Sequence, residues 1–227
     1  MTPLFTTHFS IGKSILTPDQ VFELGADLEK VPFVENSFYS FRKLIKKSEE
    51  AEKDFVFGLK INCRADGEPS KVIIFAKNGE GIRKLRNIYT KAFVKNEGVA
   101  DFKDLKDKDL QVAFPFYGSF ICKSVYNFGD FYLPHEELDN TTFFYEDNLH
   151  PYDYQIKRAI EKKGIKPVLS KSIYYKNKSD FPAYQNYRSS CFRMTGRKAP
   201  TFDAPEIQDC SSDRFCWEEF KKHGRGN

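Results

Sequence analysis

Histidine is scarce in this 227-residue chain: His8, His135, His150 and His223 are the whole supply, and no two stand two, three or four residues apart. A catalytic metal site needs several nitrogen or oxygen donors converging on one ion, and histidine spacing alone announces none. The five cysteines, Cys63, Cys122, Cys191, Cys210 and Cys216, are odd in number and scattered, with no C-x-x-C pair. That pattern argues against a disulfide framework and predicts reduced thiols in a cytoplasmic compartment. No run approaches eighteen apolar residues, so no membrane span is expected. The opening MTPLFTTHFS lacks a charged stretch followed by an apolar one, so no signal peptide is expected. Gly12-Lys13-Ser14 would close a phosphate loop only with a glycine five residues earlier, where Thr7 stands. No glycine–x–serine–x–glycine elbow occurs either, and the cysteines have no evident activating partner.

What the chain does have is core material. Hydrophobic residues make up 40% and aromatics 16%, with 23 phenylalanines and 12 tyrosines, so a packed core is feasible and disorder is not expected. The net charge of +4 is mild, and lysines alternate with acids, as in KKSEEAEKD at 46–54. Such runs read as solvated helix faces, and leave at most a weak nucleic-acid contact.

Strand and helix patterns alternate along the chain. Strands are expected over Thr2–Phe9, Val31–Val34, Phe55–Ile61, Lys71–Ala76, Leu110–Pro115, Phe128–Leu133, Thr142–Tyr145 and Pro167–Ser170. Helices are expected from Thr17-Pro18, with threonine as N-cap and proline in the first turn. Others are expected over Ser37–Glu52, from Asn78 onward, over Tyr152–Lys163 before a terminating Gly164, over Asp180–Cys191, and over Trp217–Lys222. Asp101–Asp109 reads as a short helix or loop. Strand–helix–strand repetition predicts one domain over residues 1–227 with a mainly parallel sheet and outer helices, its core at about 3–193 and an extension at about 194–227.

Several stretches together resemble the polymerase-and-histidinol-phosphatase (PHP) domain at the N-terminus of the bacterial DNA polymerase III alpha subunit. They are THFSIGKSILTPDQVFELG, VPFVENSFYSFRKLIKKSEEAEKDFVFGLKI, VIIFAKNGEGIRKLRNIYTKA and KPVLSKSIYYKNKSDFPAYQNYR. The third, with its "AKN-x-x-G" turn, is the nearest match, and the likeness runs from about Pro3 to Phe220. The resemblance implies an α/β fold: a distorted seven-stranded (βα) barrel, TIM-barrel-like, with its cleft at the C-terminal strand ends. It implies no polymerase activity, because the likeness ends before the polymerase palm.

Active members of that family cleave phosphate esters with two or three metals held by histidines and carboxylates. Carried over residue by residue, the ligand motifs are depleted. The first, two histidines one residue apart, leaves only His8; the second leaves Glu35 and Asn36. The third, a glutamate two residues after a strand glycine, falls on Lys60 after Gly58, and the last, aspartate and histidine, falls on Ser172 and Tyr174. An ammonium about 4 Å from a divalent ion costs several kcal/mol even at an effective dielectric near 20. The expectation is therefore a barrel without cofactor or catalytic residues, in which Lys60 pairs with Glu35 and Asp147 and His150 also line the vestigial cleft. By resemblance its role is a binding or scaffolding module in DNA replication, perhaps encoded by a phage, with a polymerase core or proofreading exonuclease as partner. The rival expectation is a phosphoesterase or 3′–5′ exonuclease using Mn, Zn or Mg through an unconventional ligand set.

Overall fold

The computed structural model describes residues 1–64, 69–131, 141–150, 152–194 and 212–224. Its strands are β1 (Thr2–Phe5), β2 (Val31–Glu35), β3 (Phe55–Arg64), β4 (Ser70–Ala76), β5 (Val99–Asp101), β6 (Leu110–Phe114), β7 (Thr141–Tyr145) and β8 (Val168–Ile173). Seven of them run β2-β1-β8-β7-β6-β4-β3, and a further pairing of β2 with β3 closes the ring into a barrel. β5 lies outside the ring and continues the edge of β3 beyond the end of β2, pairing Asn62 with Val99. β4 is antiparallel to both β3 and β6, and the other pairings are parallel. The expected mainly parallel barrel is what forms, with β4 as the exception, because no helix separates it from β3.

The helices are α1 (Pro18–Leu24), α2 (Phe41–Glu50), α3 (Gly79–Lys95), α4 (Phe120–Phe128), α5 (Asp153–Lys162), α6 (Phe181–Met194) and α7 (Trp217–Gly224). None of the described helices is long and apolar enough to cross a membrane.

Strand alternation sorts the apolar residues into two cores. Inside the barrel, Leu4, Val34, Ile73, Ala113 and Phe144 pack together with Phe75. Outside it, the alternate positions Phe5, Phe33, Phe57, Leu59, Val72, Ile74 and Val112 join the inner faces of the helices. Gly58 faces inward because the ring of Phe75 takes the space of its side chain: a Cβ there would lie 2.5 Å from that ring. The lower barrel is thus filled by aromatic and aliphatic groups, which leaves a cleft only at the top.

Local chemistry fixes where the helices start. Thr17 caps α1 by accepting from the Gln20 amide, and the Gln20 side chain accepts from the Thr17 amide, a reciprocal pair that stops both orphan donors from facing solvent alone. At α3 the "AKN-x-x-G" turn acquires a physical meaning. The Asn78 side chain accepts from the Gly81 amide at 2.9 Å and donates to Asp109 at 2.9 Å. Gly81 itself presses on the backbone carbonyl of Asp109, where a Cβ would stand 2.4 Å away.

Two boundaries differ from the sequence reading. The expected helix from Ser37 starts only at Phe41, with Phe38 packed edge-on against Phe41 and Tyr89 before it. The expected strand at Phe128–Leu133 does not form at its start, since Phe128 is the last residue of α4 and Gly129 ends that helix in the left-handed region. Phe128 is 81% exposed there, so β propensity at an aromatic run misread a solvent-facing helix end; residues 132 and 133 lie outside the described residues.

Replacing Gly81 by alanine is expected to cost about 1–3 kcal/mol through overpacking against the β6 backbone. Gly79→Ala, where a Cβ meets nothing within 4 Å, should leave stability nearly unchanged. Urea denaturation of both variants checks the pair.

Candidate functional site

The C-terminal strand ends open onto a cleft of about 160 Å³. Its floor is the top of the inner core, Leu4, Val34 and Ile73, and its walls include Thr6, Pro115, Tyr117, Tyr174 and Phe215. Three lysines line it: Lys13 from the loop after β1, Lys60 from β3 and Lys71 from β4. Lys60 stands opposite Ile73 in the β3–β4 ladder, which puts both on the inner face. Burial, and after it the charge of Lys13, pulls the Lys71 ammonium below its ordinary range.

One carboxylate reaches this cleft, Glu146, just past β7. Phe144 points into the barrel, so Glu146 two residues later points the same way. Both its oxygens are engaged: Ser172 donates its hydroxyl at 2.6 Å and its amide at 3.0 Å, and Asn148 donates its side-chain amide at 3.1 Å. The buried Lys171 ammonium adds a favourable charge to Glu146 from behind, donating to the Asn148 side-chain oxygen and to the Asp147 carbonyl. Burial still pulls Lys171 below its ordinary range.

Behind the same wall sits a second buried acid. Asp153 accepts from Tyr117 at 2.7 Å, the Asn148 amide at 2.9 Å and the His150 amide at 3.1 Å. Burial outweighs those bonds and pushes its carboxyl up to about 6. Tyr117 therefore touches the cleft with its ring while its hydroxyl anchors the outer network.

The sequence-derived candidates divide between these environments. Asn36, Lys60, Ser172 and Tyr174 do line the cleft. Glu35 does not: it is 1% exposed, lies between two inward-facing residues, and turns to the loop after β1. There it accepts from the Thr7 amide at 3.0 Å, the Thr7 hydroxyl at 2.6 Å and the Ser10 hydroxyl at 2.5 Å. The expected Lys60–Glu35 pair is thus replaced by hydroxyl partners, because strand alternation sends the two side chains to opposite faces of the barrel wall.

His8 is also outside the cleft lining, in the turn beyond β1, with Nδ1 3.2 Å from the Leu16 carbonyl and its ring against Phe9. Thr6 holds the last inward position of that strand end. Asp147 is exposed and accepts from the Leu149 amide. His150 stacks on Tyr152 at 5.4 Å, and burial followed by the Lys171 charge holds its ring below the usual histidine range. His135 and Cys210 lie outside the described residues. The sequence reading missed Lys13, Lys71 and Glu146; counting two residues on from inward Phe144 finds the last, whereas no local motif marks the lysines.

The final described segment completes the cleft. The Tyr174 amide donates to Phe215 at 3.0 Å, and Tyr175 and Cys216 form a parallel bridge. Phe215 thereby lies among Tyr117, Tyr174 and His150, with ring centroids 5.7 to 6.5 Å away.

This donor set does not fit a two-metal centre. Among the described residues no group of three histidine, cysteine or acidic side chains is placed to hold one ion. The cleft instead sets three ammonium groups around a single carboxylate that is already hydrogen-bonded. A larger open groove of about 420 Å³ between α1 and α2 is closed by the Lys47–Asp19 and Lys47–Glu50 ion pairs, and lies on the outer wall, away from the strand ends.

No protein-family model matches the chain, and no curated protein matches it. Among solved structures, one similar chain is from Bifidobacterium adolescentis, provisionally named a metal-dependent phosphoesterase. It is 16% identical over 41% of this chain and 35% of that one, with a TM-score of 0.30. Another is an amidohydrolase from Chromobacterium violaceum, 12% identical over 41% of this chain and 34% of that one, with a TM-score of 0.28. The match spans about a third of each of those chains. The barrel assignment rests on its own closed ladder of strands.

Glu35 gives the site a measurable pH signature. Burial pushes its carboxyl from an ordinary 4.5 to about 7, against the bonds from Ser10 and Thr7. The folded chain then holds a proton that the unfolded chain releases, so stability falls as pH rises from about 4.5 to about 7 and levels off above. The loss amounts to roughly 3 kcal/mol at most. Glu35→Gln is expected to flatten that part of the profile, as read from urea denaturation between pH 4.5 and 8; an unchanged slope would refute it.

Proposed function

We propose that this chain is a non-catalytic, PHP-like barrel that acts as a binding module in DNA replication. One observation carries the non-catalytic part: the strand-end cleft, where a metal-dependent phosphoesterase of this fold would gather its ligands, is lined by Lys13, Lys60 and Lys71. Charge repulsion of several kcal/mol per ammonium would oppose a divalent ion there. The carboxylates that could compensate are committed elsewhere, Glu35 to Thr7 and Ser10 and Glu146 to Ser172 and Asn148. Nothing is left at the mouth to activate water.

The replication role is carried by the sequence resemblance to the polymerase III alpha domain, and is a statement about partners by analogy. On this reading the chain docks a polymerase core or a proofreading exonuclease and carries no cofactor. The rival, a phosphoesterase with unconventional ligands, draws support from two carboxyls raised toward neutrality, Glu35 to about 7 and Asp153 to about 6. Such values suit general acid–base work. Both groups, however, are buried behind the cleft wall and face away from each other's networks, so they do not converge on one substrate atom.

Metal analysis of the protein purified without chelator is expected to show less than stoichiometric Mn, Zn or Fe. Incubation with Mn²⁺, Zn²⁺ or Mg²⁺ is expected to yield no turnover of a phosphomonoester or of labelled single-stranded DNA. A stoichiometric metal, or turnover that Glu146→Gln abolishes, would establish the enzyme. The partner is tested separately with purified replication proteins: co-elution with a polymerase core or proofreading exonuclease is expected, and failure to bind either removes the replication role.

A further inference from the structure

We propose that the strand-end cleft is a metal-independent binding site for a single tetrahedral anion, inorganic phosphate or the end of a phosphomonoester. The inference rests on the metal-free reading of the same cleft and adds what occupies it.

Charge comes first. Lys13, Lys60 and Lys71 approach the cleft from three separate segments, the loop after β1, β3 and β4, so no sequential run of lysines explains their meeting. The single carboxylate there, Glu146, already takes three hydrogen bonds and the charge of Lys171 from behind. The lining therefore carries a clear positive excess. Lys71 feels it, since the nearby Lys13 charge makes its own ammonium harder to keep protonated. An anion among these groups relieves that repulsion, and the apolar floor of Leu4, Val34 and Ile73 strengthens each attraction by excluding water.

Donor geometry agrees with this sign. The Asn36 side-chain amide lines the cleft half-buried and makes no hydrogen bond among the described residues, unlike Ser172, Thr6 and Tyr117, whose hydroxyls donate elsewhere. The donors left to face the space are an amide and ammonium groups, which recognise oxygens and not metals. The Gly118 backbone, in the left-handed region beside the Lys71 stem, keeps the rim narrow at that side.

Size selects the ligand class. A cleft of about 160 Å³ holds roughly five waters' worth of liquid at ~30 Å³ each. Pockets that bury a whole cofactor- or nucleotide-sized molecule span ~300–1,000 Å³. A phosphate group fits, and any organic remainder stays outside the mouth.

The full chain, stripped of metal with chelator and kept in chelator-treated buffer, is titrated with inorganic phosphate by isothermal calorimetry, with sulfate as competitor. Saturable binding without added metal is expected, displaced by sulfate. Lys60→Gln and Lys71→Gln should each weaken it on the order of tenfold or more, and Lys162→Gln, on the exposed face of α5, should leave it unchanged. Asn36→Asp places a negative charge at the rim without altering the lysines, and should also abolish binding if a lysine variant fails to fold. Glycerol 3-phosphate distinguishes the sources: tighter binding than phosphate marks a phosphomonoester, weaker binding marks the free ion. Equal binding in wild type and all four variants, or no binding with or without Mn²⁺, overturns the anion site and leaves the metal-free reading standing. Binding that appears only with Mn²⁺ overturns both.

Discussion

A lysine on the inward face of a barrel this narrow has one place to put its charge. Below Lys60 the interior is filled by Ile73, Phe75, Phe144 and their neighbours, and Gly58 has surrendered its side chain to make room for Phe75. The stem can lie along that apolar surface while the ammonium rises to the mouth. The chemistry of the cleft follows from this packing constraint: whatever charge the inward positions near the strand ends carry is delivered to one small space. With lysines at three such positions, the space attracts anions, and the barrel has exchanged a cation-holding geometry for the opposite one.

Much of the fold was legible in local signals, because helix starts depend on a few adjacent residues. Thr17-Pro18 and Asn78 with Gly81 are each satisfied within one turn, and the structure places caps at both. The inward position of Lys60 was legible for a similar reason, being tied to Gly58 by the two-residue period of a strand. The same period explains the failures. Glu35 lies between inward Val34 and Asn36, and Asp147 follows inward Glu146, so both acids point to the wrong side of the wall for the role expected of them. Lys13 and Lys71 were not legible at all. One lies in a loop and one on the antiparallel strand, and only barrel closure brings them beside Lys60. The family likeness, read motif by motif, supplied the places of the lost ligands but not the groups that gather there instead.

The buried polar groups behind the cleft carry a second lesson about the mouth. Lys171 and Glu146 are both nearly excluded from solvent, and each would be costly without partners. Asn148 links them, accepting from Lys171 and donating to Glu146, while its amide serves Asp153. Tyr117 extends the chain to the cleft wall through its hydroxyl. Such a connected set fixes the end of β7 and the start of α5 relative to β8, and so holds the rim rigid where it must meet a ligand.

The segment around Phe215 belongs to the cleft although it lies some forty residues beyond β8. Its bridge to Tyr175 and the ring of Phe215 among Tyr117, Tyr174 and His150 supply one side of the opening. Synthesis proceeds from the other terminus, so a ribosome-bound chain with all seven barrel strands already emerged still has an unfinished vestibule. Ligand capture is therefore a late event in the life of each molecule, withheld until the last aromatic has been threaded into place.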